Sequence, residues 1–296
     1  MRIVVSGTSG FLGGRLVQRM LSDGHEVVRL VRRPPRTGDE RRWDPYRGEL
    51  PAGVLDGVDA VVNLSGAGVG DKRWSEAYKK TIRDSRVMPT TSLATAIARA
   101  DRPPSVLLNA AGIHYYGDTG EHAVDEDSPP GTGWFVETSQ EWEAATDPAA
   151  DAGVRVVLLR TAPVLAASGP LLKPMLPLFR LGLGGRLSTG TQYMSWISLA
   201  DWLGAVMFLL EHEIAGPVNL SAPHPETNRE FTRDLAAAVR RPAVLPVPRF
   251  AIRIALGEFG HHALESLRVM PGVLDREGYQ FQHPHLAEAL RWALKH

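Results

Sequence analysis

The sequence predicts an α/β fold: a doubly wound parallel sheet over residues 1–165, followed by a smaller α/β C-terminal lobe over residues 166–296. Three observations predict it. Short runs rich in Val, Leu and Ile recur along the first half, segments of helical length separate them, and the first run ends in a glycine-punctuated turn, Gly7 to Gly13. Strands that read as near-continuous apolar runs are buried on both faces, as in a parallel sheet covered by crossover helices.

The first run is Arg2 to Ser6. Phe11 to Ser22 then sets Leu12, Leu16 and Met20 at helical spacing, and His25 to Val31 is a second apolar run, which completes one β-α-β unit. Further strand-like runs are Asp59 to Leu64, Ser105 to Ala110 and Val154 to Arg160, with helices expected near Ser75 to Ala100 and Val136 to Ala152. After Thr161 the sequence becomes rich in Pro and Gly, and regular βα alternation is not expected to continue. Helices are expected there over Leu199 to Glu211, Asn228 to Arg240, Phe250 to Leu267 and His285 to Leu294, with 190–212 returning to the first domain.

The chain has 296 residues, 44% hydrophobic and 22% charged, close to an average globular protein. Lys+Arg 33 balances Asp+Glu 33, so no global basic field collects phosphates and nucleic acid is not an expected partner. The absence of cysteine excludes disulfides, thiolate catalysis and Cys-ligated metals, and accords with a cytoplasmic address. Ile3 to Val5 is too short for a secretory signal, and Leu187 to Leu210, interrupted by Asp201, is not a membrane span. No metal site is expected, because His261-His262 and His283/His285 lack carboxylate partners at ligand spacing.

Gly7-Thr8-Ser9-Gly10-Phe11-Leu12-Gly13 follows the first strand directly and opens the first helix. A tight turn, close backbone approach to a pyrophosphate and close helix-to-strand packing each require a residue without Cβ. The helix N-terminus then offers unpaired N–H groups and a positive dipole end to phosphates. In this context the pattern points to a dinucleotide. The second strand ends Val31-Arg32-Arg33, with no carboxylate before Asp39 to take a ribose 2′-hydroxyl. Arginine matches a 2′-phosphate, so NADP is favoured, with Arg32 or Arg33 in that role. Leu64, Ser65 and Gly66, together with Ala110 on the neighbouring strand, are expected along the ribose and nicotinamide.

Taken together these residues resemble the extended short-chain dehydrogenase/reductase superfamily, the group that contains nucleotide-sugar epimerases. More narrowly the chain resembles the atypical NAD-dependent epimerase/dehydratase-like proteins with a C-terminal domain of unknown function. The resemblance is carried by GTSGFLG (7–13), VVNLSGAG (61–68), RWSEAYKKTIRDSRV (73–87), YYG (115–117), WEAA (142–145), LRTAPVL (159–165), GLGGRLSTGTQYMSWISLAD (182–201), GPVNLSAPHPETNREF (216–231) and RPAVLPVP (241–248). It implies a Rossmann domain, an NADP-type cofactor and a substrate cleft between lobes. It implies no particular small-molecule substrate, and the oligomeric state stays open.

Catalysis is where the pattern departs from that group. Its members use a Ser or Thr to hold the substrate oxygen and a Tyr made acidic by a Lys four positions later. An isolated tyrosine titrates near ~10, so without that lysine it is a poor proton carrier at neutral pH. Here Phe135 stands at the tyrosine position, Ser139 at the lysine position, and the serine strand reads Asn109-Ala110-Ala111-Gly112. The nearest substitutes are His114, Tyr115 and Tyr116, just past that strand. Gln192, Tyr193 and Trp196 are candidate substrate walls, and Lys173 lies in a loop placed to close on substrate. Two readings remain: an NADP(H)-dependent oxidoreductase or epimerase-like enzyme, and a non-catalytic NADP(H) sensor or scaffold.

Overall fold

Seven parallel strands form the central layer of the computed structural model, which describes residues 1–48 and 50–296. In chain order the first half is β1 (Arg2–Ser6), α1 (Phe11–Ser22), β2 (Glu26–Val31), β3 (Glu40–Arg42), β4 (Ala60–Asn63), α2 (Glu76–Ala98) and β5 (Val106–Gly112). A single 3-10 turn (Ile113–Tyr116) leads on to α3 (Trp134–Ala144), α4 (Asp147–Asp151) and β6 (Arg155–Thr161). The second half is β7 (Val164–Leu165), α5 (Leu172–Arg180), β8 (Tyr193–Met194), β9 (Ile197–Ser198), α6 (Leu199–Glu211) and β10 (Gly216–Leu220). It closes with β11 (Glu226–Thr227), α7 (Asn228–Val239), α8 (Arg249–Leu256), α9 (Phe259–His262), α10 (Gly272–Arg276) and α11 (Leu286–Ala293).

The sheet order is β10-β6-β5-β4-β1-β2-β3, with every pairing parallel. The period of two along each strand divides the core between two faces. Ile3 and Val5 join Leu16, Val17 and Met20 of α1 and Trp202, Ala205 and Leu209 of α6, whereas Val4, Val28 and Leu30 join Leu93, Ala94 and Ile97 of α2. Both faces are therefore covered, which is why the strand runs carry so few polar residues. The direction of winding reverses between β1 and β4, and the crevice above that reversal is where such sheets bind ligands.

The structure adds α5, α10 and the two-residue strands β7, β8, β9 and β11 to the elements expected from sequence, and it differs at four further places. The helix expected over 136–152 is two helices, because Pro148 sits in the first turn of α4 and has no N–H to continue α3. The helix expected over 250–267 ends at Gly257, whose φ is +63°, before the short α9. β3 is only three residues long and was not expected. The seventh strand, β10, extends the sheet from within the span expected to be lobe; Pro217 hides it in the sequence and is tolerated because β10 is an edge strand. The remaining lobe has its own core, in which Trp196 and Phe231 pack with Leu172, Leu235, Leu286 and Leu290 from α5, α7 and α11. Among the described residues no helix is long and apolar enough to cross a membrane.

Candidate functional site

The carboxyl end of β1 turns sharply at Gly7, whose φ of +71° is left-handed. A Cβ there would stand 2.3 Å from the carbonyl oxygen of Leu64, and one at Gly13 would stand 2.3 Å from the carbonyl oxygen of Gly7. The first glycine therefore lets the loop touch the end of β4, and the third lets α1 lie against the loop. Gly10 donates its N–H back to Gly7 across 3.0 Å, and it caps α1 with extended backbone and no side-chain hydrogen bond. The amide donors of the first turn are consequently left for an anion. Ser9 and Gly10 are exposed at the mouth of this loop, with Thr8, Phe11 and Leu12 half-buried around it.

One strand over, the two arginines after β2 have different fates. Arg33 is committed to Glu40: its two terminal nitrogens donate to the two carboxylate oxygens at 2.7 and 2.6 Å. Arg33, with the Arg36 backbone N–H, holds that buried carboxyl down at about 2. Arg29 does the same for Asp39, also lowered to about 2, with Thr37 assisting. Arg32 is exposed and forms no hydrogen bond or ion pair with the described residues. Of the two candidates, only Arg32 has a free guanidinium.

Beneath the crevice lies a buried polar network that the sequence reading did not single out. Ser6 donates to Asn63 Oδ1, and the Asn63 amide donates to Thr90 Oγ1 at 2.9 Å and to Asn109 Oδ1 at 2.7 Å. Trp142 Nε1 donates to the same Thr90 oxygen at 3.1 Å. Asn63 Oδ1 also accepts the Ser65 N–H at 3.2 Å, which pins the start of the Leu64-Ser65-Gly66 loop. A signal existed: Asn63 and Asn109 are the polar residues that end otherwise apolar runs, and they face each other in the β4–β5 register. Ala110 follows on β5, half-buried at the same edge.

The residues proposed to replace the missing tyrosine and lysine meet different environments. Ser139 donates to the carbonyl oxygen of Phe135 one turn back, and both are buried, so those two positions are packing. His114 stacks on Phe135 at 4.1 Å, and burial pushes its imidazole down to about 4, which leaves it neutral at neutral pH. Tyr116, the second tyrosine of the pair, is buried and held by two partners. Its hydroxyl donates to Asn219 Oδ1 at 2.8 Å and accepts from Arg160 at 2.9 Å, and burial pushes it up to about 12. Tyr116→Phe is therefore expected to cost about 1–3 kcal/mol of stability, by stranding both partners, and to leave dinucleotide affinity intact. Thermal unfolding and a binding titration check this; lost turnover at full stability would reinstate the hydroxyl as a proton carrier. Tyr115 is half-buried, with the Arg160 guanidinium 3.5 Å from its ring centroid.

The expected substrate walls also separate. Trp196 is 1% exposed and packs inside the lobe core. Gln192 bonds to the Leu187 carbonyl and, with Ser188, Thr191, Glu121 and Arg249, lines a surface cavity of about 310 Å³. The ring of Tyr193 lies under Arg268, 4.7 Å away. Lys173 is exposed in the first turn of α5, and the approach to that helix brings Gly169 against the Phe11 ring, on the side of the phosphate loop. A larger cavity of about 660 Å³, between Gly53, Asp56, Arg99 and Arg102, opens among loops that precede β4 and β5, at the opposite end of the strands from the crevice.

A parallel sheet with this order, a glycine turn closed by two backbone contacts and an uncapped helix start define an α/β protein of the Rossmann type. Residues 3–221 match the NAD dependent epimerase/dehydratase family, and residues 247–293 match a domain of unknown function, DUF1731. An epimerase family protein of Mycobacterium leprae, ML0860, is 43% identical over 98% of this chain and 95% of its own length. The crystal structure of human epimerase family protein SDR39U1 with NADPH superposes with a TM-score of 0.92 at 34% identity, covering 100% of this chain and 99% of that one. The UDP-N-acetylglucosamine 4-epimerase of Bacillus cereus shares the fold at 18% identity, with a TM-score of 0.77 over 99% of this chain and 98% of its own. The chain belongs to the NAD dependent epimerase/dehydratase family.

Proposed function

We propose that the protein binds NADP(H) through residues 7–13, the Leu64-Ser65-Gly66 loop, Ala110 and Arg32, and acts as an oxidoreductase or epimerase-like enzyme on a small molecule. The observation that carries the NADP assignment is the contrast at the end of β2. Arg33 is neutralised by Glu40, while Arg32 keeps an unshared guanidinium of the shape a 2′-phosphate requires. Gly7 and Gly13 fit the pyrophosphate, because any side chain at either would fill the space between loop, β4 and helix. The human relative whose structure contains NADPH supports the same reading. When bound, the nicotinamide supplies or accepts a hydride. The chain's own residues orient it from the Asn63–Thr90–Asn109 network, and Tyr115 is the remaining candidate for moving a proton. The lobe over 166–296, apart from β10, contributes the substrate side, with Gln192, Tyr193 and Lys173 as its candidates.

A non-catalytic NADP(H) sensor is the second reading, favoured by Ala111, Phe135 and Ser139 at the three catalytic positions and by the locked Tyr116 hydroxyl. Arg32→Ala is expected to weaken NADPH binding about 10- to 100-fold and to leave NADH binding unchanged, the worth of one charge-assisted contact. Calorimetry with both nucleotides measures this. Equal losses for the two nucleotides would remove the 2′-phosphate assignment. Arg33→Ala is the control, because it strips the buried Glu40 carboxylate of its partner and acts on stability. Turnover of NADPH against a carbonyl panel separates the enzyme from the sensor.

A further inference from the structure

Arg160 and Arg86 both lie beside the end of the sheet, one buried and one half-buried, and of the two only Arg160 has a counter-charge among the described residues. Arg160, 3% exposed, meets both oxygens of Glu143 at 2.8 Å. Arg86, in the middle of α2, meets no carboxylate: it forms no ion pair with any described residue, and its one protein hydrogen bond runs from Nη1 to the Ile82 carbonyl of its own helix at 2.9 Å. Its guanidinium stacks 5.1 Å from the Trp142 ring centroid, and a Cβ built at Gly66 would stand 3.5 Å from its Cζ. It therefore lies directly against the loop that follows β4. Burial lowers its pKa to about 10, and the titratable groups that sense it are Tyr78 and His114, both uncharged at neutral pH.

A half-buried cation without a counter-charge is partly desolvated, and an arriving anion would offset that cost. The position narrows what that anion is. β4 and β5 are on the far side of the topological reversal from β2, hence on the nicotinamide side if the dinucleotide lies as proposed above. One turn before Arg86, Ile82 is buried in a cluster with Trp74, Tyr78 and Phe135, against which Trp134 and Phe259 pack. Trp74 lies 5.1 Å from Trp134, 5.6 Å from Phe135 and 5.6 Å from Phe259, and His114 stacks on Phe135. The other charged groups at this wall are matched: His262 bonds to Glu265 at 2.9 Å, and Lys79, 5.6 Å from the Trp134 ring centroid, is held by Glu258 at 2.7 Å and Glu76 at 3.1 Å. A guanidinium fork matches a carboxylate as well as a phosphate, and the aromatic residues beside this one favour a carboxylate carried on an apolar body.

We propose that Arg86 is the substrate anchor: it receives the carboxylate of an apolar, aryl- or alkyl-bearing acid beside the nicotinamide, with the half-buried Trp134 and Phe259 packing on the acid's body. The inference deepens the functional reading above and rests on it for the position of the nicotinamide. The probes are 3-phenylpropionate and 4-phenylbutyrate against their neutral amides, titrated into the full chain saturated with NADPH. Wild type is expected to bind the acids about tenfold or more tightly than the amides. Arg86→Leu erases that preference while NADPH affinity holds, and Arg86→Lys keeps part of it, because charge remains but the fork is lost. Equal binding of acid and amide by wild type overturns the proposal without recourse to any variant. A preference that survives Arg86→Leu overturns it too, as does a parallel loss of NADPH affinity, which would assign the guanidinium to the cofactor. Failure of wild type to bind NADPH would instead count against the dinucleotide reading, and the acid-versus-amide comparison on the free protein would still test Arg86.

Discussion

Glu143→Gln is expected to destabilise the protein by about 3–5 kcal/mol, because it removes the counter-charge of a guanidinium that has no access to water. Glu143 on α3 and Arg160 on β6 are 10% and 4% exposed at the side chain, and the pair is closed by two parallel hydrogen bonds. Burial opposes the charge on Arg160, but Glu143 and Tyr116 more than offset this and raise its pKa above the ordinary arginine value. Glutamine keeps the shape and one acceptor yet leaves the cation uncompensated. With an unfolding entropy of about 2.1 cal/mol/K per residue, the loss corresponds to a fall in Tm of about 5–8 °C for cooperative unfolding of a chain this long. Replacing both partners, Glu143→Leu with Arg160→Met, should destabilise less than either single change, since no lone charge is then buried. A Tm for Glu143→Gln within about 1 °C of wild type would show that the pair contributes little.

Gly13→Ala is expected to weaken dinucleotide binding about 10- to 100-fold and to lower stability as well, whereas Gly14→Ala, the next residue on the same helix, should do neither. The added methyl at position 13 would be 2.3 Å from the Gly7 carbonyl oxygen and 2.8 Å from its carbon, and both are backbone atoms that cannot rotate away. The start of α1 must then move off the phosphate loop, at an overpacking cost of about 1–3 kcal/mol. At position 14 the same methyl would meet only the Thr8 carbonyl oxygen at 3.6 Å, an ordinary contact. There alanine should add about 0.5–1 kcal/mol through its helix propensity. Titration with NADPH and thermal unfolding of both variants give the contrast; equal behaviour of the two would remove the close approach as the reason for the third glycine.

The sheet and the phosphate loop were legible because their causes are local. Val4, Val5, Val61, Val62, Leu107 and Leu108 announce strands buried on both faces, and Gly7, Gly10 and Gly13 stand at fixed offsets that a turn and a helix start require. The same locality explains the misses in secondary structure. Pro217 argues against a strand wherever position in the sheet is unknown, and only its place at the edge makes the missing N–H harmless. The polar network of Ser6, Asn63, Thr90 and Asn109 was half legible, through the asparagines that end two apolar runs, but its assembly joins residues 57, 46 and 27 positions apart.

The sequence by itself determined the layer architecture and the glycine turn between β1 and α1, both of which depend on residue type and short-range spacing. Tertiary structure alone decided which candidate side chains are free to act. Arg32 and Arg33 are adjacent and chemically identical, yet β3 delivers Glu40 to only one of them. Tyr115 and Tyr116 are likewise adjacent, yet Asn219, 103 residues away, takes the hydroxyl of the second. Arg160 finds Glu143, and Arg86 finds no carboxylate among the described residues. A charge or hydroxyl acquires its role from the partner that burial presents to it, and that partner is chosen by packing across the sheet, a distance that no local pattern in the chain encodes.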